Sequence, residues 1–268
     1  MGWTSRCLGA IEPGAGCTDD LTAEEGSKVV SELKAVIQAG GRGTRLAPYS
    51  TVLPKALMPV GEGTVIDHLL NRFRDAGVGE VIVTVSKFGP LIRSYCGDGS
   101  RWNLSIDYVT EDVPLGTIGG LNLFRERLEA PFFVANSDVY TDLELKDLLA
   151  AHSGDEDAAL TVVVTRQTVN IGYGVVDHAD RRVISFREKP SQEFSVSTGM
   201  YCMSPEVFEF IPTSGAFGFD HLVRAMLEKG ARVNVYEHLG SWIDIGRVED
   251  LRKAQEQAAH PFTPDQVV

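Results

Sequence analysis

"QAGGRGTRLAPYSTVLPKALMPV", residues 38–60, follows a short apolar run and carries two arginines, one lysine and three prolines among its glycines. Gly40, Gly41 and Gly43 lack a Cβ, so backbone N–H groups beside them can approach an anion closely. Arg45 supplies charge, and ten residues later Lys55 stands between Pro54 and Pro59, whose fixed φ stiffens that segment. The stretch is not a Walker loop, because no lysine followed by Ser or Thr closes the pattern. Nor is it a dinucleotide fingerprint, since Leu46 stands where the third glycine belongs. It reads either as a tight strand–helix turn with solvated arginines or as a cradle for a small anion.

The bulk composition favours a specific anionic ligand over a polyanionic surface. With 25 basic and 37 acidic residues the formal net charge is −12, which argues against nucleic acid or an anionic membrane as partner. At 268 residues, 43% of them apolar and 23% charged, the chain can bury a full core. No run approaches the ~20 apolar residues of a membrane span. The N-terminal "MGWTSRCLGAIEPGAG" lacks the apolar centre of a secretory signal, and Arg6 spoils a myristoylation pattern. Cysteines 7, 17, 96 and 202 form no CxxC pair, so a reduced, cytoplasmic chain without structural zinc is predicted.

Outward from the loop, strands and helices alternate. "KAVIQAG" reads as a buried strand, and "TVIDHLLNRFRDAG" as a helix with Thr64 as N-cap and Gly77 as stop. "EVIVTVS", "LSIDYVT" and "PFFVANSD" are further strands, with helices over "GPLIRSYCG" and "TIGGLNLFRERLE". "LELKDLLAAH" and "AALTVVVTRQ" continue the pattern. After residue 168 it changes: "YGVVDHADRRVISFREKP" predicts two strands around a polar turn at 178–181, followed by the strand "STGMYCMS" and the helix "FDHLVRAMLEKG". "RVNVYEH", "SWIDIG" and "RVEDLRKAQEQAA" complete the sequence. The alternation predicts an α/β fold, a mostly parallel mixed sheet with helices on both faces, Rossmann-like in character. Residues 1–32 read as a mobile leader with a short helix over "TAEEGSKVVSEL", and 261–268 as a loose tail. Between them, 33–260 read as one domain, with halves at 33–167 and 168–260 sharing one sheet and no separate C-terminal domain.

In such sheets ligands sit outside the carboxyl ends of the strands. The glycine loop, the loop at 111–117 and Asp138 all fall at such ends. Asp138, beside Asn136 and Ser137, is either a helix N-cap or a metal ligand, and Asp244 carries the same ambiguity. "REKP" at 187–190 could be no more than a solvated strand end. His68, His152, His221 and His238 have no metal-ligand spacing and read as ordinary helix or strand residues.

"GGRGTRLAPYSTVLPKALMPV" closely resembles the signature of the sugar-1-phosphate nucleotidylyltransferases, G-G-x-G-T-R-L-x-P-x-T-x-x-x-P-K-x-x-x-P-V, with Ser50–Thr51 around the usual threonine as a mild departure. The resemblance runs from about residue 33 to 258 and implies a GT-A-like nucleotidyltransferase fold. It implies in-line attack of a sugar 1-phosphate on the α-phosphorus of a nucleoside triphosphate, giving an NDP-sugar and pyrophosphate without a protein nucleophile. On that resemblance Gly40, Gly41, Gly43 and Thr44 cradle the nucleotide, Arg45 holds the β/γ-phosphates and Lys55 the α-phosphate region. Asp138 and Asp244 grip Mg²⁺. Glu188 takes sugar hydroxyls, Lys189 the sugar phosphate, Gly174 admits the sugar to backbone, and Thr198 and Gly199 close the pocket. Ser197 departs from the Asn of many relatives, and Tyr173 and Tyr201 are either packing residues or sugar contacts.

"TEDVPLGTIGGL" would face the base: Gly116 admits it, and Glu111 or Asp112 accepts from it, which suits guanine's N1–H and amino edge. The same loop is also readable as a plain turn with Thr117 as N-cap. "EDVPLGTIG" and "NSDV" look most like the mannose-1-phosphate guanylyltransferase branch, so GTP is the expected triphosphate, with UTP or dTTP and glucose 1-phosphate as the alternative. The acceptor expected is mannose 1-phosphate or a related hexose-like or cyclitol phosphate, with a homo-oligomer as one possible assembly. Two rivals fit less well. An NDP-sugar-using glycosyltransferase wants D-x-D, where this chain has Asn136-Ser137-Asp138. A non-catalytic regulatory homologue would not need Arg45, Lys55, Asp138, Lys189 and Asp244 together.

Overall fold

A computed structural model describes residues 32–41 and 43–259. The predicted leader helix and the tail lie outside the described residues, apart from the last residues of that helix. In chain order the strands are β1 (Lys34–Ala39), β2 (Pro59–Val60), β3 (Gly63–Thr64), β4 (Glu80–Val85), β5 (Ser105–Thr110), β6 (Phe132–Asn136) and β7 (Val139–Thr141). They continue as β8 (Ala158–Asn170), β9 (Val175–Ala179), β10 (Arg182–Arg187), β11 (Ser191–Met203), β12 (Arg232–Glu237) and β13 (Trp242–Asp244). The helices are α1 (Val65–Asp75), α2 (Gly89–Cys96), α3 (Gly116–Gly119), α4 (Leu145–Ser153), α5 (Phe219–Glu228) and α6 (Val248–Ala259).

Seven strands make the main sheet, in the order β12-β8-β11-β6-β1-β4-β5. β1, β4, β5 and β6 run parallel, β12 runs parallel to β8, and β11 is antiparallel to both its neighbours. The sheet is therefore mixed and mostly parallel, as the alternation predicts. Both predicted halves contribute to it. The order reverses beside β1: successive strands first build outward to β4 and β5, then β6 returns to the other side of β1. That switch opens a crevice at the carboxyl ends of β1 and β6.

Strand periodicity divides the core between two faces. Ala35 and Ile37 point into a cluster with Leu69, Phe73, Ile92 and Leu148 from α1, α2 and α4. Val36 and Ile82 point the other way, onto Ile118, Leu121, Leu222 and Met226. A third cluster joins Leu46, Met58 and Val60 of the glycine-loop segment to Ile245, Leu251 and Ala254 near the C-terminal end. This small core bolts the N-terminal loop to the segment that carries Asp244.

α1 begins as its sequence predicts. The Thr64 hydroxyl accepts from the Asp67 N–H, and Asp67 accepts from the Thr64 N–H at 2.7 Å, a reciprocal cap. The helix predicted over 117–129 is different. α3 lasts four residues, and a 3₁₀ stretch from Gly120 to Arg127 is interrupted at Phe124 (φ −143°, ψ 25°). Gly119 and Gly120 carry too little helix propensity to sustain a longer helix there. Thr117 is no N-cap, because α3 starts at Gly116 and the Thr117 hydroxyl instead accepts from the Phe219 N–H at 2.9 Å. Asp138 is no helix cap either: β7 follows it directly. Asp244 closes β13, four residues before α6 begins.

The predicted two-stranded excursion exists as the β9–β10 hairpin, turning at Asp180 and Arg181, both with positive φ. β8 and β11 extend further than their predicted 158–167 and 197–204 to form its stalk, pairing from Ser191↔Asn170 inward.

Candidate active site

A cavity of about 610 Å³ opens at the carboxyl ends of β1, β4, β5 and β6. It gathers eight sequence-predicted residues: Gly40, Gly41, Gly43, Lys55, Glu111, Asp112, Gly116 and Asp138. Gly43 adopts φ 62°, and a Cβ there would lie 3.0 Å from Cγ of Lys55, so glycine lets the loop wrap the lysine stem closely. Lys55 donates from Nζ to Asp138 Oδ2 at 2.6 Å, with both side chains less than a fifth exposed.

The β7–β13 ladder places Asp244 opposite Val139, and the Ile245 N–H donates to the Asp138 carbonyl at 2.8 Å. The two aspartates are thus brought to one spot from positions more than a hundred residues apart. Burial raises the Asp244 carboxyl above its ordinary range, and the neighbouring Asp138 charge adds to this against Lys55 and Arg45. Asp244 Oδ1 is buried without a hydrogen-bond partner. Arg45 turns toward this side: its Nη2 would lie 3.6 Å from a Cβ at Gly246, and the side chain does not line the cavity.

A polar clamp lies behind the pair. His238 Nε2 sits 2.9 Å from Asp142 Oδ1, which the Ser241 N–H also meets at 2.7 Å. The Thr141 hydroxyl donates to the Ser241 carbonyl at 2.8 Å, and His68 Nε2 meets the Thr141 carbonyl at 2.5 Å. Burial holds the His68 imidazole below its ordinary value, so it packs as a neutral ring. His68 and His238 both serve this clamp. Among the described residues no three His, Cys, Asp or Glu side chains converge as a self-contained cage.

Glu111 lines the cavity against Gly40 and Gly120. A Cβ at Gly40 would lie 3.4 Å from one carboxylate oxygen, and a Cβ at Gly120 would collide with the other. Burial raises the Glu111 carboxyl, opposed by a hydrogen bond from the Leu115 N–H. Asp112 also lines the cavity.

Several lining residues carry no motif signal. Gln38 on β1 stands in register with Thr84 on β4 and Asn136 on β6, a polar row across three strand ends. The alternation that puts Val36 and Ile82 in the core also puts Gln38 and Thr84 on that face, which was the available signal. Ser86 and Lys87, just past β4, line the cavity as well, and the carboxyl-end rule points to them. Thr44 lies outside this cavity, on a neighbouring hollow of about 420 Å³ that Gly41, Ser86 and Lys87 also line.

The predicted residues of the second half divide. Thr198 and Gly199 lie on the sheet beside β6. Gly199 has φ 77°, and a Cβ there would strike Asn136 Nδ2 at 2.5 Å. Thr198 donates to the Val163 carbonyl at 3.1 Å and accepts the Trp242 indole N–H on its own carbonyl at 2.9 Å. Gly174, Glu188 and Lys189 lie at the hairpin base and do not line the cavity. Gly174 faces Phe186 and Glu188, with a would-be Cβ 3.3 Å from Glu188 Oε2. Tyr201 stacks on Phe219 with ring centroids 4.0 Å apart, and burial pushes its hydroxyl up to about 12, the behaviour of a packing residue. Tyr173 is 82% exposed.

The family model "Nucleotidyl transferase" matches residues 34–260. The chain is 30% identical over 243 residues to a UTP–glucose-1-phosphate uridylyltransferase of Synechocystis, covering 83% of this chain. It is 35% identical over 229 residues to the mannose-1-phosphate guanylyltransferase catalytic subunit beta of Danio rerio, covering 82% of this chain. In both cases the match spans 62% of the relative's own length. Among solved structures, HddC from Yersinia pseudotuberculosis complexed with GMP-PN superposes with a TM-score of 0.65 at 26% identity, covering 84% of this chain and 98% of that one.

Proposed function

The chain belongs to the nucleotidyl transferase family, and we propose that it joins GTP to a hexose-like 1-phosphate, giving a GDP-sugar and pyrophosphate by in-line attack on the α-phosphorus. The observation that carries this reading is the meeting of Lys55, Asp138 and Asp244 beside a glycine-walled cavity large enough for a nucleotide. A displacement of this kind demands positioning and charge neutralisation rather than a nucleophile. In keeping with that, burial pushes the Cys96 and Cys202 thiols up to about 12, where they are inert.

Asp138 and Asp244 suit Mg²⁺, a hard cation bound by one or two carboxylates while substrate phosphates complete its shell. The unpartnered Asp244 Oδ1 and the raised Asp244 carboxyl are what two adjacent acids look like when a cation would relieve them. When bound there, the cation would neutralise phosphate charge. Lys55, beside this acid pair, would meet the α-phosphate. Glu111, fixed between Gly40 and Gly120, offers a carboxylate to the N1–H and amino edge of guanine. The mannose-1-phosphate guanylyltransferase relative and the neighbour complexed with GMP-PN support that choice. The Synechocystis relative favours a second reading, UTP with glucose 1-phosphate. The sugar phosphate would enter from the side of Thr198, Gly199 and the hairpin base, with Glu188 and Lys189 as its partners.

The test is pyrophosphate release with Mg²⁺ over a grid of nucleoside triphosphates against sugar 1-phosphates and cyclitol phosphates. Release with GTP and one acceptor is the expected result. Release with UTP or dTTP alone keeps the reaction and discards the role given to Glu111. No release with any pair overturns the proposal.

A further inference from the structure

Among the described residues, the charge lining the main cavity does not suit a triphosphate as it stands. Among the described residues its lining holds three acids, Glu111, Asp112 and Asp138, against two cations, Lys55 and Lys87. Lys55 is already paired with Asp138 at 2.6 Å. Arg45 faces Asp244 and stays outside the lining. Lys87 is left: it is exposed, no described carboxylate pairs with it, and its ammonium lies 5.0 Å from the centroid of the Phe88 ring.

Its position matters as much as its freedom. Lys87 follows the carboxyl end of β4 and lines both the main cavity and the adjoining hollow of about 420 Å³. Gly41 and Ser86 share that boundary, and the Ser86 hydroxyl donates to the Gly40 carbonyl at 2.8 Å, which ties the β4 end to the glycine loop. Phe88, Thr44 and Thr51 line the far side. On the nucleotidyl-transfer reading, a nucleotide with its base by Glu111 would run its phosphate chain along the glycine loop. The adjoining hollow is the space into which that chain would continue, and Lys87 lines both cavities.

We propose that Lys87 holds the outer phosphates of the triphosphate, the part that departs as pyrophosphate, at the junction of the two cavities. This rests on the nucleotidyl-transfer reading for the identity of the ligand. An ammonium is a compact point charge on a flexible stem, suited to following a phosphate chain from bound to leaving state. One charge-assisted contact of this kind is worth about tenfold in affinity. The contact belongs to the tail alone, so a nucleoside monophosphate should not feel its loss.

Calorimetric titration of GTP and GMP, with UTP and UMP as the second pair, needs no acceptor and no turnover. Lys87→Gln should weaken triphosphate binding about tenfold, leave the monophosphate unchanged, and weaken inorganic tripolyphosphate in parallel. Lys87→Arg should restore most of the difference. Equal triphosphate affinity in wild type and Lys87→Gln overturns the assignment, as does an equal loss for tri- and monophosphate, or a wild type that binds both alike. If no acceptor supports pyrophosphate release yet the Lys87-dependent tail preference is found, the reaction falls and the contact stands. If wild type turns over but Lys87→Gln keeps the full tail preference, the reaction stands and the contact falls.

Discussion

Glu111 concentrates the compromise between stability and binding in one side chain. Its folded pKa lies above the ordinary 4.5, chiefly through burial, so the folded chain binds that proton more tightly than the unfolded chain does. The stability this brings is full below 4.5 and is lost as pH rises through the raised folded value. At neutral pH the ionised carboxylate therefore costs stability. Glu111→Gln should melt at a higher temperature than wild type at pH 7, with the gap closing in acid, while GTP affinity falls about tenfold for want of a second acceptor. Calorimetric scans at several pH values and a GTP titration check both halves. Lys55→Ala and Asp138→Ala belong to the same scale. Each strands a partner of a shielded 2.6 Å pair. Both should abolish pyrophosphate release and keep the wild-type far-UV circular dichroism spectrum. Wild-type rates in either would remove the pair from the chemistry.

Among the elements, α1 shows how one carboxylate can fasten three pieces of structure. Asp67 accepts from the Thr64 N–H that starts its own helix, from the Tyr95 hydroxyl of α2 at 2.5 Å, and from Arg101 in the following turn. Burial works to raise its carboxyl, but the hydrogen bonds from Tyr95 and Thr64, with the Arg101 charge, outweigh that and hold it below the ordinary 3.8. The sign is opposite to that of Glu111: the contribution is present above 3.8 and is lost as pH falls through the depressed folded value. Asp67→Asn should cost about 2 kcal/mol at pH 7 in urea unfolding, with the difference from wild type vanishing in strong acid. Thr64→Ala, which removes only the cap, should cost about 1 kcal/mol. The cap was legible as Thr64 before an apolar helical run. The Tyr95 and Arg101 contacts were not, because no local spacing encodes which distant turn a carboxylate will face.

For the molecule as a whole, the β9–β10 hairpin stands apart from all three core clusters, with Val183, Ile184 and Phe186 more than half exposed. Replacing residues 172–189 by a short turn across the Ile171–Pro190 hydrogen bond should leave the melting temperature within a few degrees. Under the proposed function it should also eliminate pyrophosphate release, since Glu188 and Lys189 leave with it. A collapsed fold would show that the hairpin supports the sheet. The alternating apolar pattern determined the seven strands of the main sheet and most helices, because each element must bury one face and its period says which, whereas the short strands β2, β3 and β7 gave no such signal. The signature at 38–60 likewise determined that a glycine-walled loop ends β1. Wherever propensity and context conflicted, the sequence misled, as in the helix expected over 117–129 that Gly119 and Gly120 cut short. The resemblance already implied that Asp138 and Asp244 meet, but only the tertiary structure decided that the β7–β13 ladder brings them together, that Arg45 faces Asp244, and that Lys87 stands at the junction with no described carboxylate beside it. Those are relations between segments far apart in the chain. They are set by how the sheet orders its strands and how a small apolar core of Leu46, Met58 and Ile245 welds the loop to β13, and no local pattern of residues carries that information.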